Sequence, residues 1–345
     1  MNIKRNSNIE FLRIFSMLLI ICSHFCVHNE IIKSSLPLGI NRFLLEFFSL
    51  GNIGVIIFIL ITGYFGVKNN TPFKLKRFII LILQTFFYSF VIYIVFVVSG
   101  KTSFSLIGFI KALLPITFKT YWFMTSYIIL YIFMPYINKL INSINRKEHK
   151  NLCLICIIIF YFLSTLTTSD FYGNQLIQFF SLYIIGAFIG KYKYNILNNK
   201  SKCLLLCLSS LLIIVISIIS FDLVGTKYSV IGEHSNYLLN RNSIVALMFS
   251  IGLFGYVINI KEKNNQFICS LSKYVLGVYL IHDNYYIRAL LWTSIFNIKT
   301  IINSKMFFLY FVLIVLLIFI VCILIEWIRF NLIDKLLIKI YDKHL

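Results

Sequence analysis

Charge is scarce in this sequence. Asp, Glu, Lys and Arg make up 13% of its 345 residues, against 59% hydrophobic residues and a mean hydropathy of +0.88. So few charges cannot cover a water-exposed surface, which excludes a soluble globular protein. Also absent are GxGxxG, Walker A, HExxH and GxSxG sequences, and with them the sequence grounds for a dinucleotide binder, a P-loop NTPase, a zincin or an α/β-hydrolase. No polar stretch is long enough to fold on its own. One membrane domain over residues 1–345 is expected, with no separate soluble domain.

The eight cysteines add little. Cys22 and Cys26, Cys153 and Cys156, and Cys203 and Cys207 lie at helical spacings inside apolar runs, where a thiol behaves as a small hydrophobe. Cys153 and Cys156 form a CxxC, but no second pair or histidine stands at zinc-finger spacing from it, so no metal is expected.

Long apolar runs are abundant. Stretches of about 20 residues, each able to cross about 30 Å of hydrocarbon, recur along the whole chain. They predict an all-α polytopic membrane protein of about ten transmembrane helices, near residues 9–29, 42–66, 78–99, 120–141, 151–168, 176–190, 203–221, 242–260, 268–287 and 306–328. With the N-terminus inside, the inner segments carry twenty Lys and Arg residues, from Lys4 to Lys343, and the outer segments carry nine, including Arg42 and Arg241. Cytoplasmic loops collect positive charge, so both termini are expected in the cytoplasm. Basic loops facing anionic membrane lipids account for most of the net charge of +20, and no nucleic-acid partner is expected. The first span carries an arginine, is longer than a signal-peptide core and lacks a small-residue cleavage site, so it is expected to be retained.

Ionisable groups inside such spans are costly and mark function. Arg13 and His24 are eleven residues apart, so they share one helix face about 16 Å apart along the axis. On the predicted path Arg13 lies about 6 to 8 Å from the inner end and His24 about 22 Å from it. Glu10, one turn before Arg13, is placed to pair with it. The alternatives are an Arg13 that snorkels to the headgroups and a neutral His24 hydrogen-bonded between helices. His282, about 21 Å along the ninth span, reaches the same outer level. Asp283 and Asn284 follow it as candidates to orient an imidazole, and an outer aromatic belt with Tyr279, Tyr285 and Tyr286 is the alternative. Thr62 and Gly63 end the second span at about the depth of Arg13. Gly51, Asn52 and Gly54 suit close helix approach, and Lys74, Lys76 and Arg77 form either ordinary inner-loop charge or a phosphate-binding rim.

These residues resemble the acyltransferase 3 family of bacterial integral-membrane O-acyltransferases. The likeness lies in Glu10, Leu12, Arg13 and His24; in the glycine-rich second helix closing on Thr62-Gly63-Tyr64; in the basic run Lys74 to Arg77; and in Tyr279-Leu280-Ile281-His282. Tyr121-Trp122-Phe123 followed by Tyr131 and Pro135 resembles the family's fourth-helix signature, and the span count fits over nearly the whole chain. Tyr127 and Ile128 stand where many members carry an acidic pair, and the basic RxxR of some members reads Lys74-x-x-Arg77.

The resemblance implies a multi-pass protein of the bacterial plasma membrane that moves an acyl group, usually acetyl, from acetyl-CoA or another acyl-CoA to a hydroxyl of a surface polysaccharide or glycolipid. No metal is expected, and a homo-oligomer is left open. A hydroxyl must lose its proton as it attacks a thioester, and an imidazole is the usual base, so His24 is the candidate, with His282 assisting. Arg13, Lys74 and Arg77 suit the CoA phosphates and a developing oxyanion. Glu10, Thr62, Gly63, Trp122 and Asp283 are the supporting candidates. Direct transfer and an acyl-enzyme both remain open across the 16 Å gap. The competing class is an exporter or flippase of a lipid-linked glycan or small molecule, which also keeps Arg and His in its spans.

Overall fold

The computed structural model describes residues 6–29, 31, 36–68, 73–167, 174–192 and 198–334, and every regular element among them is helical. In hydrocarbon only a helix satisfies its own backbone N–H and C=O groups within one segment, so apolar runs of this length fold in no other way. In chain order the main helices are α1 (Ser7–Val27), α2 (Ile40–Phe47), α3 (Gly51–Lys68), α4 (Leu75–Val98), α5 (Leu106–Leu113), α6 (Trp122–Ser143), α7 (Arg146–Ile157), α8 (Gln175–Tyr192), α9 (Lys200–Gly225), α10 (Ile244–Ile258), α11 (Gln266–Leu271), α12 (Val275–His282), α13 (Tyr285–Ala289) and α14 (Phe307–Arg329). The α7 helix continues through a π segment, Ile158–Leu163, into Ser164–Thr167.

Among the described residues, eight helical stretches are long and apolar enough to cross a membrane, against the ten expected. The difference lies in the sixth and ninth expected spans. The sixth, α8, is continuous, but Gln175, Gln178, Ser181 and Lys191 dilute its apolar content. The ninth is broken into α11, a 3-10 turn over Ser272–Tyr274, α12 and α13. Asn284 makes the last break: its backbone is extended, its side chain accepts from Tyr286 N and its amide donates to Tyr121 Oη at 2.7 Å. A capping Asn ends one helix and starts the next within a single residue.

The α3 helix is the hub of the bundle, packing against α8 on one side and α1 on another. Ile53, Ile56, Ile57, Ile59, Leu60 and Ile61 are fully buried along it. Small residues set the spacing. A Cβ at Gly54 would collide with the Ser16 carbonyl of α1, and Cβ atoms at Gly63, Gly186 and Gly190 would collide with the carbonyls of Tyr183, Leu60 and Tyr64 across the α3–α8 contact. Gly186 and Gly190 form a GxxxG pair, the small-residue spacing that lets membrane helices approach closely.

Hydrogen bonds gather the expected inner loops at one end. Ser7 N and Oγ bond the Lys263 carbonyl, Asn138 donates to Gly66 O, and Lys191 Nζ donates to Ile141 O. At the other end Asn41 donates to Ile302 O and Ser304 O, Asn52 to Leu239 O, and Tyr237 to Ser164 O and Thr165 O.

Two of the charges assigned to loops are instead buried. Arg42 is 5% exposed; its guanidinium contacts Asp222 Oδ1 at 2.6 Å and Glu46 Oε1 at 3.4 Å, and also bonds Leu36 O. Arg329 is 4% exposed and donates twice to Glu326 at 2.8 Å, while Tyr88 Oη and Gln84 Nε2 donate to the same carboxylate at 2.5 and 2.9 Å. This second network ties α4 to α14, and Glu326 also fills the space beside Gly277 of α12. Removing one partner of a buried ion pair costs about 3 kcal/mol or more, whereas replacing both by apolar groups costs far less. Glu326→Ala is therefore expected to lower the thermal unfolding midpoint in detergent. The double variant Glu326→Leu/Arg329→Met is expected to recover most of the loss, and a double variant as unstable as the single one contradicts a stapling role.

Candidate functional site

A cavity of about 650 Å³ runs between α1, α3, α4, α6, α12 and the Ser272–Tyr274 turn. From α1 it takes Arg13, Met17, Ile20 and His24, steps of four, three and four residues that keep to one helix face, with Ser23 at its edge. The face predicted from Arg13 and His24 is thus the wall of one continuous space. From α3 it takes Asn52, Val55, Phe58 and Thr62, again one face, and Phe123 and Tyr127 of α6 close the opposite wall.

The end nearest the expected inner loops is cationic. Arg13 reaches the cavity while bonding Glu10 Oε1 and Oε2 at 3.4 and 3.3 Å, with its guanidinium 6.0 Å from the Phe65 ring centre. Pairing at i,i+3 with a carboxylate that is 6% exposed fixes its direction, so Arg13 lines the cavity in addition to any reach toward headgroups. Lys74 caps the start of α4 and Arg77 stands three residues on, which brings both to the cavity, beside the positive end of the α4 dipole. Lys273 joins them from the 3-10 turn. Lys273 is not legible from the sequence as a site residue, since a lysine at the edge of an apolar run looks like ordinary positive-inside charge.

The opposite end holds the histidines. His24 Nδ1 lies 3.0 Å from His282 Nε2, and His282 Nδ1 lies 2.6 Å from the Val278 carbonyl oxygen. A carbonyl only accepts, so with both rings neutral His282 carries its hydrogen on Nδ1 and offers a lone pair at Nε2. His24 must then donate from Nδ1, leaving His24 Nε2 as the nitrogen with a free lone pair. The His24 side chain is 16% exposed and lines the cavity. It is both a hydrogen-bonded interhelical histidine and a cavity-facing one.

His282 is fully buried, so it does not belong to an outer aromatic belt. The chain break after α12 swings Asp283 back toward the rings, with Oδ1 3.5 Å from His24 Nδ1. His28 was not singled out from the sequence; one turn beyond His24, its ring centre lies 5.0 Å from that of His24. An i,i+4 His spacing was the available signal.

Of the remaining predicted residues, Trp122 lines the cavity with the Arg241 guanidinium 4.7 Å from its ring centre. Thr62 lines it with its hydroxyl donating to Phe58 O at 2.8 Å. Gly63 does not line the cavity: it faces the Tyr183 carbonyl and serves the α3–α8 contact. Adjacent helix residues point about 100° apart, which separates Thr62 from Gly63.

A family model for the acyltransferase 3 domain, described as an acyltransferase domain, matches residues 6–327. The chain belongs to this acyltransferase family. No curated protein and no solved structure matches it. Every lining residue of the cavity lies within the matched span, so the membrane acyltransferase domain includes the whole candidate site.

Proposed function

We propose that this acyltransferase moves an acyl group, most often acetyl, from acyl-CoA on the cytoplasmic side of the bacterial plasma membrane to a hydroxyl of a surface polysaccharide or glycolipid. The observation that carries the reading is that one cavity joins the Arg13, Lys74, Arg77 and Lys273 cluster to His24. The cations suit the phosphates of CoA, with Arg presenting a planar fork to phosphate oxygens. Met17, Ile20, Val55 and Phe58 line the stretch between, a channel for the pantetheine arm. The thioester then reaches His24 from inside and the acceptor hydroxyl from outside.

In the proposed step His24 Nε2 takes the hydroxyl proton as the oxygen attacks the thioester carbonyl. Collapse of the tetrahedral intermediate breaks the C–S bond, and the departing thiolate takes the proton back from the imidazolium. His282 positions His24 by accepting from its Nδ1, so it is a positioning residue in this scheme. Arg13, about 16 Å away along α1, is too far to face an oxyanion beside His24, so it belongs to the phosphate end. Ser23 and Asn52 line the outer end instead; Asn52 gives one amide hydrogen to Leu239 O and has a second to offer.

With membranes supplied with acetyl-CoA, His24→Ala is expected to reduce acetate incorporation into surface glycan by roughly 10² to 10⁴ while leaving the amount of glycan unchanged. Acetylation at the wild-type rate refutes the base assignment, and reduced glycan with normal acetylation supports export instead. Lys273→Ala and Arg77→Ala are each expected to raise KM for acetyl-CoA roughly tenfold, the loss of about one charge-assisted hydrogen bond, with kcat within about a factor of two. A change confined to kcat removes these residues from the donor end.

A further inference from the structure

His24 and His28 project from the same face at the outer end of α1, and Asp283, the first residue past α12, meets them from across the bundle. One donor atom from each of the three lies within 4.8 Å of the other two. Asp283 is 3% exposed, and its Oδ1 accepts no hydrogen bond among the described residues. Its nearest basic neighbours, His24 Nδ1 at 3.5 Å and Arg288 Nη1 at 3.9 Å, stand outside hydrogen-bond geometry, as does the Tyr279 hydroxyl beside it. A buried carboxylate oxygen without a donor is costly, and a cation placed between it and the two rings removes that cost.

We infer that the outer end of the cavity is a binding site for a divalent cation of the Zn²⁺ class, held by one ring nitrogen each of His24 and His28 and by the Asp283 carboxylate. Two imidazoles and a carboxylate are the donor set of three-ligand zinc sites, whereas Mg²⁺ and Ca²⁺ take mainly oxygen. At metal–ligand distances of about 2.0 to 2.2 Å, tetrahedral donors stand about 3.4 Å apart, so modest side-chain rotations close the site. With the cation on His24 Nε2, His24 Nδ1 keeps its hydrogen bond to His282, the kind of outer partner that metal-bound histidines commonly have. Among the described residues Arg288 is the charged neighbour that opposes the cation, and its side chain is 30% exposed, where it has room to turn away.

The cation and the base role of His24 exclude each other. Whichever ring nitrogen binds the metal, the other carries the hydrogen of the neutral imidazole, and no lone pair remains to accept a proton. A bound cation is thus an inhibitor of transfer. This consequence rests on His24 being the base; the site itself does not. It departs from the expectation of no metal, which was drawn from cysteine spacing.

Purified full-length protein in detergent, titrated with Co²⁺ as a spectroscopic stand-in for Zn²⁺, is expected to bind one equivalent with the visible absorption of a four-coordinate site. His28→Ala and Asp283→Asn are each expected to weaken binding at least tenfold, with thermal unfolding of the metal-free variants as the folding control. Absence of stoichiometric binding by wild type, or undiminished binding by folded His28→Ala, overturns the site. In the transfer assay Zn²⁺ is expected to inhibit wild type, a chelator to restore it, and His28→Ala to keep the metal-free rate while needing at least tenfold more Zn²⁺. Binding at the three residues without inhibition overturns the inhibitory role and the base assignment while leaving the site.

Discussion

A polar atom in hydrocarbon has two outlets, another polar atom or a wet cavity, and the ionisable side chains of this chain divide between them. Glu326 takes the first, with Arg329, Tyr88 and Gln84 all donating to one carboxylate. Arg42 does the same with Asp222 and Glu46 at the other end of the bundle. Lys74, Arg77 and Lys273 take the second, Arg13 and His24 take both, and all five open on the same space. The two solutions are joined, because Gln84 lines the cavity while donating to Glu326. The network that staples α4 to α14 therefore also fixes one wall of the site.

The shape of the cavity follows from which face of α3 carries glycine. Where α3 meets α8, Gly63 and the facing Gly186 and Gly190 let backbone touch backbone and leave no space. Where α3 faces α4 and α6 it presents Asn52, Val55, Phe58 and Thr62, while Gly51 and Gly66, which also line the cavity, have their open sides filled by Ser23 and Tyr183, and the helices stand apart. Close packing on one face and separation on the other are two effects of one residue pattern. A larger residue at Gly186 would disturb the site without touching it.

The Arg13–His24 face was legible in the sequence because it needs only helical periodicity and the cost of charge in a bilayer. The pairing of Glu10 with Arg13 was legible for the same local reason. Other features depend on residues far apart in the chain. Arg329 read as loop charge because its setting comes from Gln84 and Tyr88, more than two hundred residues away. The break in the ninth span turns on Asn284 reaching Tyr121, and that break in turn places Asp283 beside His24. Membership of the acyltransferase family rested on short motifs in order, and these are local patterns that survive without knowledge of the packing.

The gap between Arg13 and His24 bears on how the acyl group travels under the proposed function. A continuous cavity lets the donor itself cover the distance, so no carrier is required to span it. An acyl-enzyme on His24 Nε2 would have to shed the Nδ1 proton, and its partner there is His282 Nε2. That would charge a ring with no exposure to solvent, whose other nitrogen already donates to Val278 O. Charging a buried group is expensive unless it is paired, and the two nitrogens of His282 meet His24 and the Val278 carbonyl rather than a carboxylate. Direct transfer avoids the problem, because the proton stays on His24 Nε2 and His282 remains neutral throughout. The hydrogen-bond chain from Val278 through His282 to His24 thus favours a ring held as a base over one used as an acyl carrier.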